Sequence, residues 1–199
     1  IIVSHEEEFE MSQQVLQNDV CTSAKKTRKL VMMGMMVAIS VVLVYLIHFP
    51  IIPMVPFLEY DPADIPILIG TFAFGPIAGI LLTIVTSLVQ GLTVSAGSGV
   101  YGIIMHIIAT SVLATVAGTV YYKQKTRKRA LIGLVMGMIC MAAVMAPANL
   151  IITPAFMGVP RSMVVQLMPF ILAFNVIKAG INGLVTFYLY KRISGFLHR

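Results

Sequence analysis

From Ile65 to Arg199 this chain contains no aspartate or glutamate. A soluble surface of that extent would need far more charge, and the mean hydropathy of +0.93 with 11% charged residues agrees. The chain therefore reads as an all-α integral membrane protein. Each crossing needs about 20 apolar residues, so 199 residues hold one membrane domain and leave no room for a soluble catalytic domain.

The net charge of +6 would suggest nucleic acid in a soluble protein. Here the basic residues form blocks beside apolar runs: Lys25, Lys26, Arg28 and Lys29, then Lys123, Lys125, Arg127, Lys128 and Arg129, then Lys191, Arg192 and Arg199. Such blocks mark cytoplasmic flanks of spans, and no nucleic-acid partner is expected. Six spans are read at about 30–49, 65–74, 77–93, 100–122, 131–150 and 169–190. Gly75-Pro76 separates the second from the third, and Ser95-Ala-Gly-Ser-Gly99 forms a small external connection. The segment from Thr153-Pro154 through Gly158 to Pro160-Arg161 forms a longer outer loop. Parity supports this count: starting inside at Lys29, the 123–129 block is inside after the fourth crossing and Lys191 after the sixth. Six transmembrane helices with N and C termini cytoplasmic follow, with 1–28 as a mobile cytoplasmic tail and 29–199 as the membrane domain.

The acids after Asp19 are Glu59, Asp61 and Asp64, crowded among Pro53, Pro56, Pro62 and Pro66. They mark an ordered polar loop at the outer edge. Asp64, two residues before Pro66, is placed to cap the second helix by accepting from free backbone N–H groups.

Lys178 lies near mid-membrane in the sixth span, about 14 Å from its outer end and about 20 Å from its inner end. A lysine there costs roughly 2.5 to 3.5 kcal/mol on insertion scales, so it faces a wet cavity or a partner. Asn175 and Asn182 share its helical face. Two readings stand: Lys178 is a counter-ion for Glu59, Asp61 or Asp64, or Asn175 and Lys178 point into a pocket for a polar small molecule. Asn149, Gln90 and His106 are polar residues at depths where they would join that pocket.

Gly34-x-x-x-Ala38 and Gly75-x-x-x-Gly79 allow close helix approach, either for internal packing or for docking on a partner. Cys21 and Cys140 have no spacing suited to a disulfide framework or a metal, and no metal site is expected. There is no phosphate-binding loop and no carboxylate within a predicted span, so energy for uphill transport would come from another subunit.

Taken in order, Phe49-Pro50, Asp61-Pro-Ala-Asp64-Ile-Pro66, Phe74-Gly-Pro-Ile-Ala-Gly79, Asn149 followed by Pro154, and Phe174-Asn175-Val-Ile-Lys178-Ala-Gly180 resemble the substrate-binding S component of energy-coupling factor (ECF) transporters, most of all the riboflavin-binding branch. The resemblance spans about 29–199. It implies a vitamin pocket near the outer face of a bacterial cell membrane, using Asn149, Asn175 and Lys178. It implies a covering loop, here Glu59, Tyr60, Asp61 and Asp64. It also implies a transmembrane coupling protein (T component) and two ATPases as partners, docked through small residues of the first helix, here Gly34 and Ala38. The chain departs from the branch at Thr86, Ser87 and His106, where polar residues of other types are usual.

The resulting function is capture of a water-soluble vitamin, a flavin first and pantothenate or another vitamin second, as transported ligand rather than cofactor. The protein is not expected to be an enzyme. A non-transport membrane scaffold is the competing class. A reporter fused after Arg199 is expected on the cytoplasmic side; an external signal would overturn the six-span topology.

Overall fold

The computed structural model describes residues 5–94, 97 and 99–197. Within them are six helices and one short ribbon: α1 (His5–Leu46), β1 (Phe49–Pro50), β2 (Glu59–Tyr60), α2 (Asp64–Phe74), α3 (Pro76–Leu92), α4 (Gly99–Lys123), α5 (Arg127–Met157) and α6 (Arg161–Leu197). Four of them contain stretches long and apolar enough to cross a membrane: Cys21–Leu46, Gly99–Lys123, Arg127–Met157 and Arg161–Tyr190. The apolar helices α2 and α3 are shorter, 11 and 17 residues, or about 16 and 25 Å at 1.5 Å per residue. The external connection expected at 95–99 lies partly outside the described residues, at Ser95, Ala96 and Ser98.

The chain forms two compact units, Ile1–Met35 and Met36–Arg199. In the first, α1 begins at His5 and runs through the segment read as a tail. The second holds α2 to α6 and carries every cavity discussed below.

The outer loop expected at 153–161 is shorter than the prolines suggested. Helix α5 continues through Pro147 and Pro154 to Met157, and α6 starts at Arg161 and continues through Pro169. A proline removes one backbone donor, and inside membrane proteins helices absorb that loss by local adjustment. The stop comes instead at Gly158, left-handed at φ 65°, whose N–H is bonded to the Pro154 carbonyl. Lys178 is consequently farther from the start of its helix than expected, about 25 Å along α6.

Gly75 separates α2 from α3 at φ 95°, a conformation closed to β-branched residues, and Pro76 opens α3 at its first turn. Close approach continues beyond the turn. A Cβ on Gly79 would collide with Thr71 Oγ1 of α2, and one on Gly118 would lie 3.2 Å from the Pro76 Cα. Gly79 therefore serves internal packing. Helix α2 is the centre of the second unit: Asp64 through Phe72 are all buried, and it packs against α3, α4 and α6.

The loop between α1 and α2 is pinned from both sides. Phe49 and Tyr60 pair across the two-residue ribbon, with rings 5.7 Å apart. Val55 joins Val164 and Ile171 of α6 in a buried apolar cluster, with Phe57, Leu58 and Leu150 packed against it.

Helices α4 and α5 meet through glycines. A Cβ on Gly133 would sit 2.8 Å from the Ala117 carbonyl oxygen, whereas one on Gly183 would meet only Leu134, at 3.7 Å. Gly133→Leu is expected to lower stability by about 1–3 kcal/mol through overpacking, and Gly183→Ala to leave it unchanged or slightly raised. Thermal unfolding in detergent checks both.

Candidate functional site

Residues from all six helices and the α1–α2 loop surround a cavity of about 1130 Å³ of empty space, part of it open to solvent. Ligand pockets are largely apolar with a few directed polar groups. The apolar walls here include Phe57, Leu58, Met145, Ile152 and Phe174, with Tyr101 and Phe156 facing each other across helices at 5.6 Å. All five residues singled out as substrate-binding candidates, Gln90, His106, Asn149, Asn175 and Lys178, line this cavity. They come from α3, α4, α5 and α6, so only the tertiary fold brings them together.

The acids are wired into the same wall. Lys178 Nζ donates to Asp61 Oδ2 at 2.7 Å. Asn182 Nδ2 donates both to the Asp61 carbonyl, at 3.1 Å, and to Asp64 Oδ2, at 2.9 Å. Its Oδ1 accepts from the Tyr60 hydroxyl at 3.0 Å. Thr110 Oγ1 donates to Asp64 Oδ1 at 2.6 Å, and His106 Nε2 lies 3.4 Å from the same oxygen. Asp61, Asp64 and Asn182 are all buried.

Lys178 is the counter-ion of Asp61, and it also lines the cavity. Two expectations need correction. Asp64 does not cap α2: the cap position is Ala63, with no side-chain cap bond. Its carboxylate is drawn to three side chains of α4 and α6 instead, which are stronger partners than helix-end amides already in register. The local acceptor is Asp61, whose Oδ1 takes the Ala63 N–H at 3.1 Å. Asp64 is also the first residue of α2 rather than part of the loop, so a buried carboxylate does lie within a helix.

The remaining polar groups differ in how far they are already satisfied. Asn149 bonds within its own helix, donating to the Met145 carbonyl and accepting from Thr153 Oγ1. Asn175 Nδ2 donates to the Ile171 carbonyl, and its Oδ1 has no protein partner among the described residues. Gln90 Oε1 is buried without a hydrogen bond, whereas the contact of His106 Nε2 is the 3.4 Å approach to Asp64 Oδ1. Buried polar atoms are nearly always paired, so the unpaired Gln90 oxygen is the exception on this cavity wall. His106 Nδ1 is held 2.6 Å from Ser87 Oγ. Ser87 thus lines the cavity, whereas Thr86 beside it is buried but does not.

Of the loop residues, Glu59 and Asp61 line the cavity; Tyr60 does not, and reaches across to Asn182. Phe74 lies at the far end of α2 and does not line the cavity. Thr110 and His48 were missed. Thr110 is four residues after His106, hence on the same face of α4, a signal the sequence did offer. His48, beyond the end of α1, gave none. Gly34 and Ala38 are both exposed on α1.

The family model described as ECF transporter, substrate-specific component matches residues 28–190. The chain belongs to this family. It is the substrate-binding S component of a bacterial transporter, a multi-pass membrane protein and not an enzyme. It is 30% identical over 182 residues to the riboflavin transporter RibU of Staphylococcus aureus (strain TCH60), covering 88% of this chain and 95% of the relative. It is 28% identical over 133 residues to the riboflavin transporter FmnP of Bacillus subtilis (strain 168), covering 66% and 70%. A solved S component of a bacterial ECF transporter superposes with a TM-score of 0.77 at 31% identity, over 87% of this chain and 99% of the other. FolT bound with folic acid superposes at 0.59 and 20% identity, over 83% and 94%, a likeness of fold alone.

Lys178 and Asp61 are 14% and 8% exposed at the side chain. Removing one partner of such a pair leaves an uncompensated charge, at a cost of about 3–5 kcal/mol when fully buried, whereas removing both is nearly neutral. Lys178→Met in this S component is expected to lower the melting temperature sharply, and adding Asp61→Asn to recover most of the loss. A double-mutant cycle by thermal unfolding measures it.

Proposed function

We propose that this S component captures a flavin, riboflavin first, from the outer face of the membrane. The observation that carries the reading is the cavity itself: apolar and aromatic walls, with Gln90 Oε1 buried and unpaired and His106, Asn175 and Lys178 also in its lining. A flat heteroaromatic ring with donors and acceptors along its edges answers both features. Gln90, His106, Asn175 and Lys178 are the contacts, with Asn149 shaping the floor. The two riboflavin transporters among its relatives support the choice. Ser87 and His106 make a hydrogen-bonded pair of their own, so the departure from the usual polar residues there does not leave the wall apolar.

In this reading six helices cross the membrane, α2 and α3 as a broken pair, and both termini are cytoplasmic. The positions of the basic blocks support that orientation. The loop from Phe49 to Ala63 covers the pocket, with Glu59, Tyr60 and Asp61 at its rim and Asp64, the first residue of α2, as its anchor. Delivery requires a T component and two ATPases, and the exposed Gly34 and Ala38 on α1 are the docking face for the T component. Residues 1–28 lie on the cytoplasmic side. A scaffold that used its small residues only for packing would have no need of this cavity. Pantothenate, smaller and without an aromatic ring, fits the walls less well.

Purified protein is expected to quench riboflavin fluorescence with sub-micromolar affinity. Asn175→Ala and Gln90→Ala should each weaken binding about 10-fold or more, roughly one lost hydrogen bond to a buried group. A thermal shift with pantothenate and none with riboflavin would replace the ligand.

A further inference from the structure

A second cavity lies at the opposite end of the bundle, where α4 ends and α5 begins. It opens onto about 820 Å³ of empty space and has two unlike sides. One side is aromatic: Phe72, Tyr121 and Tyr190 form a packed trio with centroids 4.8 to 5.6 Å apart, and Phe187 and Tyr188 continue it. The other side is Lys125, Thr126 and Arg127.

The charge on that side is uncompensated within its unit. The carboxylates of Met36–Arg199 are Glu59, Asp61 and Asp64, all at the other end of the bundle. Lys125 Nζ rests 5.4 Å from the centre of the Tyr122 ring, and neither Lys125 nor Arg127 has a carboxylate partner among the described residues. Thr126 caps α5, its Oγ1 accepting from the Arg129 N–H. The amides of Arg127 and Lys128 are left without intrahelical acceptors at the positive end of the helix. Tyr122 and Tyr188 are 61% and 71% exposed at this level, as aromatic residues are at the membrane–water interface. The cavity thus opens at head-group depth, cationic toward water and aromatic toward the hydrocarbon.

We propose that this cavity binds the phosphate of an anionic phospholipid, held by Lys125, Arg127 and the α5 amides, with the start of its acyl chains against Phe187 and Tyr188. A free phosphate would use the cationic side and leave the aromatic one bare. Basic pockets between membrane helices are suited to such head groups.

The test is native mass spectrometry of the full-length protein in detergent, with added phosphatidylglycerol or phosphatidylcholine. Phosphatidylglycerol should be retained over phosphatidylcholine. Lys125→Gln with Arg127→Gln should lower its occupancy on the order of 10-fold at unchanged melting temperature. Lys123→Gln with Lys128→Gln removes the same charge from exposed residues outside the cavity and should change little. Equal retention of the two lipids, or equal loss in both double variants, would overturn the site in favour of diffuse attraction. Displacement of the lipid by millimolar inorganic phosphate would also overturn it. So would an unaltered occupancy in Lys125→Gln with Arg127→Gln accompanied by lost transport, which would give the surface to a protein partner.

Discussion

The contact between the start of α2 and the middle of α6 governs the rest of the structure. Asp61 and Asp64 meet Lys178 and Asn182 across more than a hundred residues of chain, and every polar group of Asn182 is engaged there. Away from water an ion pair persists only when its remaining lone pairs are also satisfied; here the Ala63 N–H donates to the second Asp61 oxygen, while Thr110 and the Asn182 amide donate to Asp64. Because α2 is too short to be positioned by length, this network and the aromatic trio at its other end fix its depth.

That contact also shapes the cavity. It holds the α1–α2 loop over the bundle while Val55 and its apolar neighbours anchor the loop from the other side. It draws Lys178 toward Asp61, so the lysine contributes to the wall as half of a pair rather than as a lone cation. Hydrogen-bonding capacity is left over on Gln90 and Asn175, whereas His106 is held between Ser87 and Asp64. Under the flavin reading, the ring is recognised by those neutral groups, and the charged residues position the wall. At the opposite end the balance is reversed, with cations that no carboxylate of the same unit answers.

Much of the fold was legible because membrane-spanning helices announce themselves by length, apolarity and flanking charge. The helix count, the Gly75-Pro76 break and the polar candidates on α3 to α6 all came from such signals. Proline positions misled at the end of α5, since Pro154 and Pro169 are tolerated inside helices where neighbours take up the freed groups. Asp64 misled too: its sequence neighbours suggest a cap, but partners on distant helices outcompete the local amides.

The sequence by itself determined the class, the order of the helices and which polar residues had to be explained, because the cost of burying charge in lipid leaves few arrangements open. Tertiary structure alone decided the pairing: that Lys178 belongs to Asp61, that Asn182 joins loop to helix, and that Asn149 bonds within its own helix while the Gln90 oxygen stays unpaired. Those outcomes depend on the relative rotation and depth of α2, α4 and α6. A one-dimensional pattern gives each helix its polar face, and only packing determines which faces meet.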